Sequence, residues 1–94
     1  MLAVRVAENS HRELYRCAVV VSKKISKSAV KRNRMRRRIY EIVRKNESNI
    51  VPSFDIVVTV YSDQVATVPS RELEESVCLL LEKSGVLQRA TPSS

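Results

Sequence analysis

Between Lys23 and Lys45 the chain reads KKISKSAVKRNRMRRRIYEIVRK, with eleven basic residues and Glu41 as the one acid. The rest of the 94 residues hold six basic and nine acidic side chains, so the whole excess behind the net charge of +7 lies in this stretch. A run of like charge ordinarily makes a solvated face or a disordered tail. Here the run is internal and apolar residues are threaded through it. Met35, Ile39, Ile42 and Val43 recur at helical spacing and make one stripe. The spacing predicts a helix that docks on a core by the stripe and turns its arginines to solvent. Charge gathered this way is the footprint of a polyanion binder.

A chain of this length makes one small domain, burying roughly two-thirds of its unfolded surface. That suffices for one sheet with helices on it and not for two cores. The charged fraction, 29%, is only slightly above the usual quarter, so placement rather than amount of charge sets this chain apart. Aromatics are few: Tyr15, Tyr40, Phe54 and Tyr61, with no Trp. Single-strand binders that stack bases need more platforms than this. Cys17 and Cys78 sit in apolar runs far apart and read as reduced core residues, since a free cysteine packs as a small hydrophobe. No apolar run nears a membrane span and nothing reads as a signal peptide, which points to the cytoplasm.

Leu2, Val4 and Val6 alternate with Ala3, Arg5 and Ala7, the pattern of a half-buried strand. Asn9-Ser10-His11-Arg12 reads as a polar turn. A second strand runs from about Tyr15 to Lys23. Its continuous apolar centre, CAVVV, suggests a central strand, and its short connection to the first suggests a hairpin. Ser26 or Ser28 can cap the basic helix. Asn46, Ser48 and Asn49 end it, and Pro52 confirms the break. Phe54 to Tyr61 is a third strand, with Phe54, Ile56, Val58 and Val60 on one face; following a helix, it should run parallel to the second. Ser62 to Ser70 reads as a loop, with Thr67 or Ser70 capping a last helix. There Leu73, Val77, Leu80 and Leu81 share a face, and Gly85 is the stop. The order is β-β-α-β-α, an α+β chain with a small mixed sheet and helices packed on it. The general rule makes the crossover between the two parallel strands right-handed. Residues 1–87 form the single domain and 88–94 a disordered tail.

Catalytic signals are weak. His11 is the only histidine, and no nucleophile or orienting acid stands near it in sequence. Asp55 and Asp63 do not form a spaced pair. Glu72, Glu74 and Glu75 suit the positive end of a helix dipole. A single glycine, Gly85, rules out a Gly-rich phosphate loop. No metal-ligand spacing occurs. The expectation is no catalytic residue and no metal site. Binding is the stronger reading. Arg32, Arg34, Arg36, Arg37 and Arg38 present planar forks that meet phosphate oxygens two at a time. Asn33 can bond a 2′-hydroxyl, a base edge or a neighbouring backbone group. Lys23 and Lys24 at the strand end, Lys27 in the turn and Lys31 in the first helical turn extend one basic surface. If about six of these meet phosphates, affinity should fall with salt at a log–log slope of roughly −4 to −5.

The segment VSKKISKSAVKRNRMRRRIYEIV resembles the hallmark of the bacterial ribonuclease P protein component. In that family a strand ending in S-K-K leads through a turn to A-V-x-R-N-R-x-K/R-R. The matching positions are Ser22, Lys23, Lys24, Ala29, Val30, Arg32, Asn33, Arg34, Arg36 and Arg37. The strand DIVVTV and the helix LEESVCLLLEKSGVL also stand where the family has theirs, so the resemblance covers about residues 1 to 87. It implies an α/β sandwich like the second domain of the fifth small-subunit ribosomal protein, with a left-handed βαβ crossover in place of the usual hand. It implies an accessory subunit that binds the catalytic RNA of ribonuclease P and precursor tRNA. That RNA, with its own Mg2+, removes the 5′ leader in tRNA maturation. The protein would stabilise the RNA fold, raise its effective magnesium affinity and hold the leader.

The resemblance has one departure. Family members usually carry a longer front segment, whose helix with paired aromatics helps frame the leader cleft. This chain starts at about the first strand, and Val4 and Arg5 fall where the family often shows aromatic character. The expectation is an intact RNA-binding motif and a cleft short of one wall, with an uncovered sheet face or edge that could favour weak self-association. Two other readings fit the charge. A small basic ribosomal or other structured-RNA-binding protein would share the salt dependence without activating a ribozyme. A DNA-binding module needs three or four base-reading side chains on one helix face, and these arginines are spread around the helix and turn.

Overall fold

The computed structural model describes residues 1–9, 15–51 and 54–87. Three strands and two helices follow in the expected order: β1 (Leu2–Glu8), β2 (Arg16–Val21), α1 (Ala29–Lys45), β3 (Phe54–Val60) and α2 (Ser70–Lys83). Ser10, His11 and Arg12 of the polar turn, Pro52 and the tail from residue 88 lie outside the described residues.

The sheet order is β1-β3-β2. β3 runs parallel to β2, as its place after a helix predicts, and antiparallel to β1. Two expectations are corrected. β2 is an edge strand, and β1 and β2 form no hairpin, because β3 lies between them. The apolar run that suggested a central strand divides between the two sheet faces. Cys17, Val19 and Val21 face the core, while Ala18 and Val20 face the other way, with Val20 48% exposed.

The register settles which residues share each face. Leu2, Val4 and Val6 stand beside Val60, Val58 and Ile56, which in turn stand beside Val21, Val19 and Cys17. Both helices pack on this side, α1 against β2 and α2 reaching β1. Met35, Ile39, Ile42 and Val43 of α1 and Leu73, Val77, Cys78 and Leu81 of α2 are buried there. Each such side chain contributes roughly 1.5–3 kcal/mol by leaving water, so the stripe of α1 is the main reason so charged a helix stays on the protein. The opposite face carries Ala3, Arg5 and Ala7 of β1, Asp55, Val57 and Thr59 of β3, and Arg16, Ala18 and Val20 of β2. Among the described residues no helix covers it. Its side chains are mostly short, which makes it a shallow track with Arg5 and Arg16 on its two outer strands.

Local signals explain the helix ends. The Lys31 N–H donates to Oγ of Ser28, the N-cap of α1, at 3.2 Å, and Asn46 closes the far end. α2 begins differently from expectation. Pro69 holds its N-cap position without a side-chain bond, Ser70 is already helical, and the Thr67 hydroxyl donates to the Gln64 carbonyl at 3.5 Å. The segment read as a loop contains a 3₁₀ turn, Asp63–Ala66, whose Val65 and Ala66 are buried. Gly85 stops α2 with φ 86°, a left-handed conformation that suits glycine. Beyond it Val86 and Leu87 return to the core, and the Val51 N–H donates to the Val86 carbonyl at 2.8 Å. Both cysteines are free; Cys78 is buried and Cys17 half-buried. Burial pushes the Cys17 thiol up to about 11, so it stays protonated at neutral pH.

Candidate nucleic-acid interface

Helical spacing sorts the basic side chains of α1 into three rows. Lys31, Arg38 and Lys45 recur every seven residues along the flank that faces α2 and the Asp63–Ala66 turn. Arg34, Arg37 and Arg44 hold the crest, directed to solvent. Arg32 and Arg36 hold the other flank, beside β2. The sequence predicts one basic surface, and the structure divides it.

The α2-side row is engaged with the protein. Lys31 Nζ lies 3.4 Å from Asp63 Oδ2, and Lys45 Nζ lies 3.2 Å from Glu74 Oε2. Exposed pairs of this kind are worth at most about 1 kcal/mol each. Arg38 is different. Its guanidinium donates to the Val65 carbonyl at 2.7 Å and also to the Val68 carbonyl. Its fork thus fastens the 3₁₀ turn and the approach to α2 onto α1. Arg38→Ala is therefore expected to cost about 1–3 kcal/mol of stability by leaving those carbonyls without their charged donor. The salt slope of polyanion binding should fall by less than one phosphate's share. Urea unfolding and a salt titration on the same variant check this; an unchanged urea midpoint with a reduced slope would contradict it.

The crest and the β2 flank are open. Among the described residues Arg34 and Arg37 form no ion pair or hydrogen bond, and both are exposed. The Arg36 guanidinium donates to Asn33 Oδ1 at 2.7 Å, which holds one side of its fork and aims the rest outward. Asn33 is thereby a positioning group whose amide N–H₂ stays available. Arg32 donates to the Ser26 carbonyl at 2.8 Å, tying the start of α1 to the preceding turn. In that turn Lys23, Lys24 and Lys27 are exposed, while half-buried Ile25 packs on the core and its N–H donates to the Ser22 carbonyl at 3.1 Å. One apolar anchor thus fixes the path of three lysines. The first turn of α1 carries no acid, so the positive end of its dipole adds to their field. At the far end of the helix the Tyr15 hydroxyl donates to Glu47 Oε2 at 3.0 Å, and burial followed by that bond raises the Tyr15 pKa above its ordinary value.

The sequence reading missed Arg5 and Arg16 on the open sheet face. Alternation puts each on the solvent side of its own strand, but only the order β1-β3-β2 sets them at opposite margins of one track. Elsewhere, no helix among the described residues is long and apolar enough to cross a membrane.

Comparisons with known proteins agree with this architecture. A ribonuclease P protein component from Roseiflexus sp. (strain RS-1) is 41% identical over 88 residues, covering 94% of this chain and 70% of the relative. One from Pseudanabaena sp. (strain PCC 6903) is 38% identical, covering 92% and 73%. Among solved structures, the RNase P protein from Thermotoga maritima superposes with a TM-score of 0.77 at 28% identity, covering 87% of this chain and 76% of that one. The RNase P protein of Staphylococcus aureus gives 0.79 at 25% identity, covering 93% and 77%. The family model for ribonuclease P matches residues 1–85. With that match over almost the whole described fold, the chain belongs to the ribonuclease P protein family, the protein subunits of a tRNA-processing enzyme.

Proposed function

We propose that this chain binds the catalytic RNA of ribonuclease P through the crest of α1, its β2-side flank and the lysine turn, and that it assists removal of the 5′ leader from precursor tRNA. The observation that carries the reading is the open set of Arg34, Arg36 and Arg37, cations without acidic partners among the described residues, with Asn33 beside them, on a helix held by its buried stripe. Folded RNA packs phosphates close together and needs counter-charge to do so. Guanidinium groups carried on a helix that is already folded supply it, so less magnesium is needed for the same compaction. In this reading the magnesium ions and the hydrolytic chemistry belong to the RNA, and the chain's own residues bind and orient.

The open sheet face takes the 5′ leader of the precursor tRNA in this proposal. Its short side chains leave room for an extended strand, and Arg5 and Arg16 can meet phosphates along its margins. Among the described residues it carries no ring besides Tyr61 at its end, so contact there relies on shape and charge more than on stacking.

The test is precursor-tRNA cleavage by a bacterial ribonuclease P RNA at low magnesium, with and without this chain. Restored cleavage is the expected result. Tight RNA binding without restored cleavage would leave a structured-RNA binder and sink the subunit role. Absence of binding would sink both.

A further inference from the structure

Tyr40 lies four residues beyond Arg36 and seven beyond Asn33, so the helix stacks the three side chains in a row along the β2 side of α1. Its ring reaches over the edge of the sheet. There the Val19 N–H, which faces away from β3, donates to the Tyr40 hydroxyl oxygen at 3.1 Å. Such a bond protects an edge strand from pairing with another chain. It also fixes the phenol: the oxygen is used as an acceptor, while the hydroxyl proton has no acceptor among the described residues. The residue keeps 37% of its surface exposed. The result is a held hydroxyl with one donor left, next to an arginine whose fork is half used by Asn33.

We infer that the Tyr40 hydroxyl donates to a non-bridging phosphate oxygen of the bound RNA, beside Arg36, as the uncharged member of the interface. The inference rests on the RNA-binding reading above. A phosphate is the fitting acceptor because it carries full charge, and the neighbouring guanidinium already favours an anion there. The backbone bond places the proton before binding, so little ordering is required on contact.

The test is Tyr40→Phe, with affinity for the ribonuclease P RNA measured across a range of salt concentrations. Binding should weaken about tenfold at every salt concentration, the worth of one hydrogen bond to a charged group. The log–log salt slope should not change, because a phenol releases no counterion. A changed slope would mean that Tyr40 acts by arranging the arginines, and would overturn the inference. So would unchanged affinity with a lowered melting temperature, the mark of an edge-protecting role alone. Arg34→Ala, measured in parallel, keeps the two readings separable: if that variant also binds like the parent, the RNA-binding reading itself has failed.

Discussion

Met35→Asp is expected to abolish cooperative unfolding of this protein at neutral pH. Met35 is 0% exposed and sits on the α1 stripe between the helix and the sheet. Truncating a buried methionine already costs about 2–5 kcal/mol. An ionised carboxylate in the same place adds several kcal/mol more, since no partner stands beside it in an apolar cluster. Small domains hold only about 5–15 kcal/mol in all. The sum therefore reaches the total, and α1 leaves the sheet. Burial favours the neutral acid, so the penalty eases as the pH falls toward about 4, the ordinary carboxylate range. Thermal unfolding followed by far-UV circular dichroism checks this, with Met35→Leu as the volume-conserving control that stays within about 1.5 kcal/mol of the parent. A Met35→Asp protein that melts cooperatively near the parent temperature would show that the stripe does not carry the fold.

That stripe was legible because a helix writes its own period into consecutive residues. Met35, Ile39, Ile42 and Val43 could be assigned without knowing what they touch, and all four are buried. The same locality made Gly85 readable as a helix boundary and narrowed the cap of α1 to Ser26 or Ser28, of which Ser28 holds it. Sheet order is a different kind of fact. Cys17 to Val21 is apolar throughout whether both faces are covered or one lies open, so composition could not tell a central strand from this edge strand. What decides is that β3 has partners on both sides, one of them β1, far back in the chain. The candidate site divides in the same way. The motif around Arg32, Asn33 and Arg34 is contiguous and therefore legible in the sequence. The engagement of Arg38 could not be found, because its acceptors Val65 and Val68 stand 27 and 30 residues away in sequence. Nothing in a guanidinium says whether it will meet a carbonyl or a phosphate. The buried Val65 and Ala66 inside a polar-looking loop were the only local hint that something must fasten that turn.

Replacing Arg34 and Arg37 together by Ala should weaken RNA binding on the order of 100-fold and leave the fold intact. Both lie on the crest of α1, away from the stripe, and among the described residues neither makes a bond whose loss would destabilise the protein. Alanine is also the best helix former, so α1 loses nothing by the change. In the complex each arginine is expected to meet phosphate, and each charge-assisted contact is worth about 1.5–3 kcal/mol. Two contacts at the lower end already reach the expected loss. The salt dependence is the sharper readout. Each phosphate contact contributes roughly 0.7–0.9 to the log–log slope, so the double variant should lose about 1.5 units of it. Lys31→Ala, on the flank already engaged with Asp63, should lose less than half as much. Filter binding across salt concentrations, with melting curves on the same samples, separates the outcomes. A large loss of affinity with the parent's slope would mean that the arginines shape the surface without touching phosphate. A lowered melting temperature would mean that the crest is part of the structure after all. Only a reduced slope on an unchanged fold is what a row of open arginines on a rigid helix must give.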